Sequence, residues 1–186
     1  MKTILFIAIA LLLPFTAVAE VDLSVGVQYI HSEIDDNGLF DISGTKAEFE
    51  DDTDNGFGLN LRASWSPWLG VKAGYMDHGS FVAESSDDEK ATLDVKSYYL
   101  AWAPQVEVTE SWDVQLGLGY TYFDADSSSN IDDWYDGDDR WGFYLSLGTE
   151  YQINQHLGIF AEAGYSGWGI ADIETNWFGA GVSYHW

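Results

Sequence analysis

The sequence predicts an all-β fold, an eight-stranded antiparallel up-and-down transmembrane β-barrel, and three observations carry that expectation. Apolar residues recur at every second position in segment after segment. Glycine and small polar residues fill most of the alternate positions, and aromatics gather near the ends of the apolar tracks. A period of two is strand geometry, in which successive side chains point to opposite faces. A soluble antiparallel sandwich alternates as well, but it has no use for glycine along most of one face or for aromatic track ends. A lipid-facing exterior with aromatic girdles, wrapped around a narrow lumen, requires both.

The first residues stand outside this pattern. Lys2, the apolar run from Ile4 to Leu13 and the small residues Ala17 and Ala19 around Val18 have the three-part order of a secretory signal peptide. The signal is expected over 1–19, with the barrel domain over 20–186. After it, no uninterrupted apolar stretch is long enough for a membrane-spanning helix.

The strands follow in order. Leu23, Val25, Val27 and Tyr29 share one face of the first. Phe57, Leu59, Leu61, Ala63 and Trp65 mark the second, and Leu69, Val71, Ala73 and Tyr75 the third. The fourth, about 92–103, has two candidate phases because Tyr98 and Tyr99 are adjacent. Trp112, Val114, Leu116, Leu118, Tyr120 and Tyr122 form the fifth; Phe143, Leu145, Leu147 and Tyr151 the sixth. Leu157, Ile159, Ala161, Ala163 and Tyr165 give the seventh, and Phe178, Ala180, Val182, Tyr184 and Trp186 the eighth. Ten residues from Trp112 to Tyr122 on a tilted strand climb about 25 Å, the height of an outer-membrane apolar band.

Short links after Trp65, Ala103 and Tyr151 alternate with long ones at about 31–55, 77–91, 124–140 and 167–174. Alternation puts every long loop at one end. Bacterial barrels keep short turns in the periplasm and long loops outside, so the expectation is a bacterial outer-membrane protein with periplasmic termini. The long loops hold 23 of the 31 acidic residues. With Lys2 removed, 6 basic residues face 31 acidic ones, a net charge of −25 that excludes nucleic acid as a partner. There is no cysteine, and the 30 aromatic residues are too many for a disordered acidic chain.

The chain ends on Gly181, Tyr184 and Trp186. That spacing resembles the C-terminal signature by which the assembly machinery recognises outer-membrane proteins, although the signature usually ends in Phe. The stretches "FEDDTDNGFGLNLRASWSPWLGVKAGYMDHGSF" and "NWFGAGVSYHW" resemble the second and third strands and the last strand of the OmpA/OmpX-type small outer-membrane β-barrels. The resemblance implies eight strands without a peptidoglycan-binding domain. It also implies membrane lipid and lipopolysaccharide, the barrel-assembly machinery and periplasmic chaperones as partners, and a monomer. Some barrels of this kind act on lipopolysaccharide acyl chains, so the residues have to be searched for chemistry.

No catalytic, cofactor or metal site emerges. Asp77, His78 and Ser80 are hydrolase residue types, but near neighbours along a strand cannot form a triad, and His31–Ser32 fails in the same way. "DADSSSNIDDWY" from Asp124 and "DDTDNGFGLNLR" from Asp51 each miss part of a calcium-loop pattern, which leaves weak divalent-cation binding by the acidic loops. Trp134 and Tyr135, aromatic among acids, form a candidate contact site. Inside the barrel, Arg62 and Lys72 are expected to face Glu150 and Glu162 across the lumen, as a charge network that plugs it. The favoured role is therefore a non-enzymatic structural or surface-interaction barrel. A small passive pore or carrier is the alternative, and a lipid A-modifying enzyme comes third.

Overall fold

The computed structural model describes residues 21–34, 41–42, 45–46, 48–84, 90–128, 141–167 and 174–186, with the backbone alone at 41–42, 45–46, 48–51, 83–84, 90–91 and 127–128. Its eight long strands are β1 (Asp22–Ile34), β2 (Thr53–Ser66), β3 (Leu69–Glu84), β4 (Lys90–Trp102), β5 (Trp112–Ser128), β6 (Trp141–Gln152), β7 (Leu157–Ser166) and β8 (Thr175–His185). Each pairs antiparallel with its neighbours in sequence, and β1 pairs with β8, so the sheet closes and has no free edge in its spanning part. The expected signal peptide and the Trp134–Tyr135 pair lie outside the described residues.

Registers around the ring define the barrel's shape. Leu23 pairs with Ala63, then Val71, Trp102, Leu118, Leu145, Tyr165 and Asn176 follow, and Asn176 pairs with Glu33, ten residues beyond the start. Ten residues of stagger at about 3.3 Å over eight strand spacings of about 4.7 Å correspond to a strand tilt of about 40°.

The exterior is an apolar belt between two aromatic rings. Toward the loop end every strand contributes one ring: Tyr29, Phe57, Tyr75, Tyr98, Tyr120, Phe143, Tyr165 and Phe178. Tyr29 with Phe57, Tyr75 with Tyr98 and Tyr120 with Phe143 are direct partners; the other neighbours are two residues out of step, the offset that the tilt requires. Ring contacts join part of this set, with centroids 5.8 Å apart for Phe57–Tyr75 and 5.3 Å for Tyr75–Tyr98 and for Tyr120–Phe143. Trp65, Trp102, Trp112, Tyr151, Tyr184 and Trp186 gather toward the terminal end. Between the rings Val27, Leu61, Leu100, Leu147, Ile159 and Val182 point outward and exposed. A water-facing protein does not leave so continuous an apolar surface.

The fourth strand settles its phase through its partners: Tyr98 faces out, while Tyr99, with Ala101, faces the lumen. This strand resumes after Pro104 at Gln105–Thr109, so the turn to β5 is only Glu110–Ser111 rather than the eight-residue link expected. The segments expected as loops from 77 and from 124 begin as strand, since β3 runs to Glu84 and β5 to Ser128. The physical reason is a reversal of polarity above the upper ring. Outward positions become Glu33, Asn55, Ser80, Asp94, Lys96 and Asp126, whereas Ile34, Phe81, Leu93, Val95 and Phe123 are buried inside. Charged residues at outward positions read as loop in a chain whose outward positions are otherwise apolar. A bulge prepares this change: Asp77 pairs with Lys96 but Gly79 with Val95, and Gly79 takes a φ of 94° that favours glycine. Asp54 secures the bulge by accepting the Ser80 amide at 2.6 Å.

Candidate functional site in the barrel lumen

Inward residues of the eight strands stack in layers along the barrel axis. Lowest, toward the termini, lie Arg62, Asp113, Glu150, Ser183 and His185, all buried. His185 Nε2 is 2.6 Å from Glu150 Oε1, its Nδ1 is 3.4 Å from Asp22, and Ser183 Oγ donates to the same Glu150 oxygen. Arg62 donates to Ser64 Oγ at 3.3 Å. Above them Lys72 Nζ lies 2.6 Å from both oxygens of Glu162, a pair formed between opposite walls and about 95% buried.

The four charges expected to form the network therefore all point inward, and Lys72 meets Glu162. Arg62 and Glu150 do not bond to each other. His185 takes the Glu150 carboxylate instead because it stands on β8, next but one to β6, and Gly158 of the intervening strand leaves the path clear. A Cβ at Gly158 would lie 2.3 Å from Glu150 Oε1. Arg62 and Glu150 line one small cavity of about 10 Å³, room for no more than a single water.

Next comes an aromatic layer of Tyr99, Tyr144 and Trp177 with Ile30 and Met76, each at most 4% exposed. Tyr99 and Tyr144 stack at 4.3 Å with their planes 4° apart, and Tyr144 and Trp177 are 6.0 Å apart. Tyr144 Oη also reaches Glu162 at 3.4 Å, which ties the layer to the ion pair below. Inward glycines seat these rings. A Cβ at Gly74 would come within 2.5 Å of the Tyr99 ring, and one at Gly164 within 2.4 Å of Trp177. Inward glycines suggest spare room when read in sequence; here the room is taken by rings from neighbouring strands.

Above the rings His78 is fully buried between Ser32 Oγ and Ser97 Oγ, each 2.9 Å from a ring nitrogen. The fold thus makes the Ser–His contact that His31–Ser32 and His78–Ser80 could not make along the chain. No carboxylate touches this imidazole among the described residues, and no solvent reaches it, so it lacks the third member and the access that acyl transfer needs. Also among the described residues, no group of three or more His, Cys, Asp or Glu is placed to hold a metal ion. Sequence reasoning missed His78, His185 and the three lumenal rings as lumen-filling residues. Alternation was the available signal for His185, Tyr144 and Trp177, which fall in the lumenal phase of their strands, and only strand pairing places Tyr99 and His78. Gly181, Tyr184 and Trp186 lie at the end of β8, with Tyr184 and Trp186 outward and in edge contact at 5.4 Å.

A closed antiparallel ring of eight strands, with an apolar exterior between aromatic rings and polar groups inside, defines a transmembrane β-barrel. Residues 3–185 match the outer membrane protein beta-barrel domain family, and the chain belongs to that family. No curated protein matches the sequence. Among solved structures it is similar to OprG from Pseudomonas aeruginosa, with a TM-score of 0.62 and 19% identity over 89% of this chain and 95% of that one. It is also similar to Ail, the attachment invasion locus protein of Yersinia pestis in complex with the heparin analogue sucrose octasulfate. There the TM-score is 0.56 and the identity 18%, over 90% and 99% of the two chains. Neisserial surface protein A gives a TM-score of 0.54 and 12% identity, over 87% and 96%. At these identities the likeness is one of fold.

Proposed function

We propose that the protein is a non-enzymatic barrel of the bacterial outer membrane that conducts no steady ion flow and presents an acidic collar to the outside. The observation that carries this reading is the lumenal layer of Tyr99, Tyr144 and Trp177, packed ring against ring directly above the buried Lys72–Glu162 pair. An eight-stranded barrel is just wide enough for side chains to fill, and these fill it. The lumen charges act as internal glue rather than as a pore lining.

The terminal end, which carries the short turns, faces the periplasm in this reading, after export by the signal peptide at 1–19. The outward Glu33, Asp94 and Asp126 then stand just beyond the lipid, beside lipopolysaccharide phosphates, where weakly held divalent cations offset the repulsion. Ail was crystallised with a heparin analogue; the collar here has the same sign as such a polyanion, so its partner is expected to be cationic. The barrel works as a monomer and is delivered by periplasmic chaperones to the assembly machinery, which reads Gly181, Tyr184 and Trp186.

Two measurements test this. Purified protein in planar bilayers should show no stable single-channel conductance, and a steady open level would replace the plug with a pore. Lipid A mass profiles with and without the gene should coincide, and a lost or gained acyl chain would make the protein an enzyme.

A further inference from the structure

We propose that His185 is a protonation-dependent latch on the seam where the barrel closes. The seam is the β1–β8 pairing, the one contact between first and last strands, and it ends at Ser24–His185. Beyond that pair the Trp186 amide still donates to the Leu23 carbonyl at 3.1 Å. The His185 imidazole turns inward from this terminus and spans two carboxylates, Asp22 on β1 and Glu150 on β6. A carboxylate accepts and does not donate, so both contacts hold together only when both ring nitrogens carry protons. Neutral imidazole has one N–H. Glu150 then keeps it, being 3% exposed and 2.6 Å away and held by Ser183, whereas Asp22 is the longer contact and its side chain is 45% exposed.

Loss of the imidazolium therefore releases the first strand from the last at the terminal end and leaves the seam above untouched. The other charged groups around the latch are Arg62 on β2 and Asp113 on β5, with the Lys72–Glu162 pair one layer up. His156 lies outside, stacked on Tyr184 at 5.8 Å, with Nδ1 directed at the His185 carbonyl. Each carboxylate that protonates in acid also weakens the clamp, so the latch holds best between the two titrations.

The test is amide hydrogen exchange by NMR on the full barrel refolded in micelles, expressed as protection factors to remove the intrinsic effect of pH. Between about pH 6 and about pH 9 the protection of the Trp186 amide should fall about tenfold in the wild type, while Gln28 to Ile30 keep theirs. Asp22→Ala, at the half-open mouth, keeps no group that can bond the ring in either protonation state and should show the low value at every pH, and so should His185→Gln. Wild-type protection of Trp186 in Asp22→Ala overturns the latch, whether or not His185→Gln folds. A fall shared equally by Gln28 to Ile30 overturns it too, because that reports loosening of the whole barrel.

Discussion

Lys72 and Glu162 stand ninety residues apart in sequence and on opposite walls of the lumen, yet the ammonium lies 2.6 Å from both carboxylate oxygens. The contact crosses the barrel without help from any backbone ladder, so it reports directly on how well the lumen is filled. Removing one partner strands the other charge in a dry site, at a cost of about 3–5 kcal/mol. Lys72→Met should lower stability by that amount in urea unfolding from lipid vesicles. Lys72→Met combined with Glu162→Gln should recover most of it, and a double variant no better than the single one would show that the pair is not the unit.

The seating of rings on glycines has its own signature. Gly164→Ala places a methyl 2.4 Å from the Trp177 ring and 2.7 Å from the Leu145 carbonyl oxygen. Overpacking of this kind costs about 1–3 kcal/mol. Shortening the ring with Trp177→Leu should return only part of that, because the carbonyl stays where it is. Full recovery would place the whole conflict on the ring.

Closure of the lumen can be assigned by conductance. With Tyr99, Tyr144 and Trp177 all changed to Ala, the layer above Lys72–Glu162 loses its three rings, and planar bilayers should register stable openings absent from the wild type. A silent triple variant, folded by circular dichroism, would pass the role to Phe81, Leu93 and Phe123 farther up.

At the chain's end, Trp186→Asp removes the last aromatic of the girdle and of the assembly signature. Charge on the lipid face costs least near the interface, about 0–1 kcal/mol, so the finished barrel tolerates it. Heat-modifiable gel migration should nevertheless show a sharp drop in inserted protein in cells, with near-normal refolding of purified chain into detergent. Equal cellular levels of folded variant and wild type would remove Trp186 from the signature.

Strand phase was legible wherever one face is apolar and the other small, because lipid and lumen impose opposite chemistry on alternate residues. It failed at Tyr98–Tyr99, where a girdle ring and a lumenal ring stand side by side, and only the pairing of Tyr98 with Tyr75 and Tyr122 separates them. It failed again above the upper girdle, where Asp94 and Lys96 face outward and Leu93 and Val95 inward, the reverse of the pattern below. Inward direction was readable for Arg62, Lys72, Glu150 and Glu162; the partners were less so. Counting strands set Arg62 opposite Glu150, but His185 reaches that carboxylate over Gly158, a diagonal contact that no face assignment reveals. The Ser32–His78–Ser97 cluster needs three strands in register before it exists.

The ring of eight aromatics has a consequence for the thickness of membrane that the protein fits. Hydrogen-bond ladders run past it unchanged, from Tyr29–Phe57 to Glu33–Thr53 on one seam and from Tyr98–Tyr122 to Thr92–Ser128 on another. On these seams side chains alone mark where hydrocarbon ends, whereas on β3 the Gly79 bulge stands at the same level. On the strands without that bulge, moving the ring by two positions would lengthen or shorten the apolar belt by about 5 Å with no bond remade, several times the mismatch that costs a bilayer a fraction of a kcal/mol per Å. The span of this barrel is thus a tunable dimension, set by which pairs along a fixed scaffold are greasy and which are charged, and it can follow the membrane of its host by surface substitutions alone.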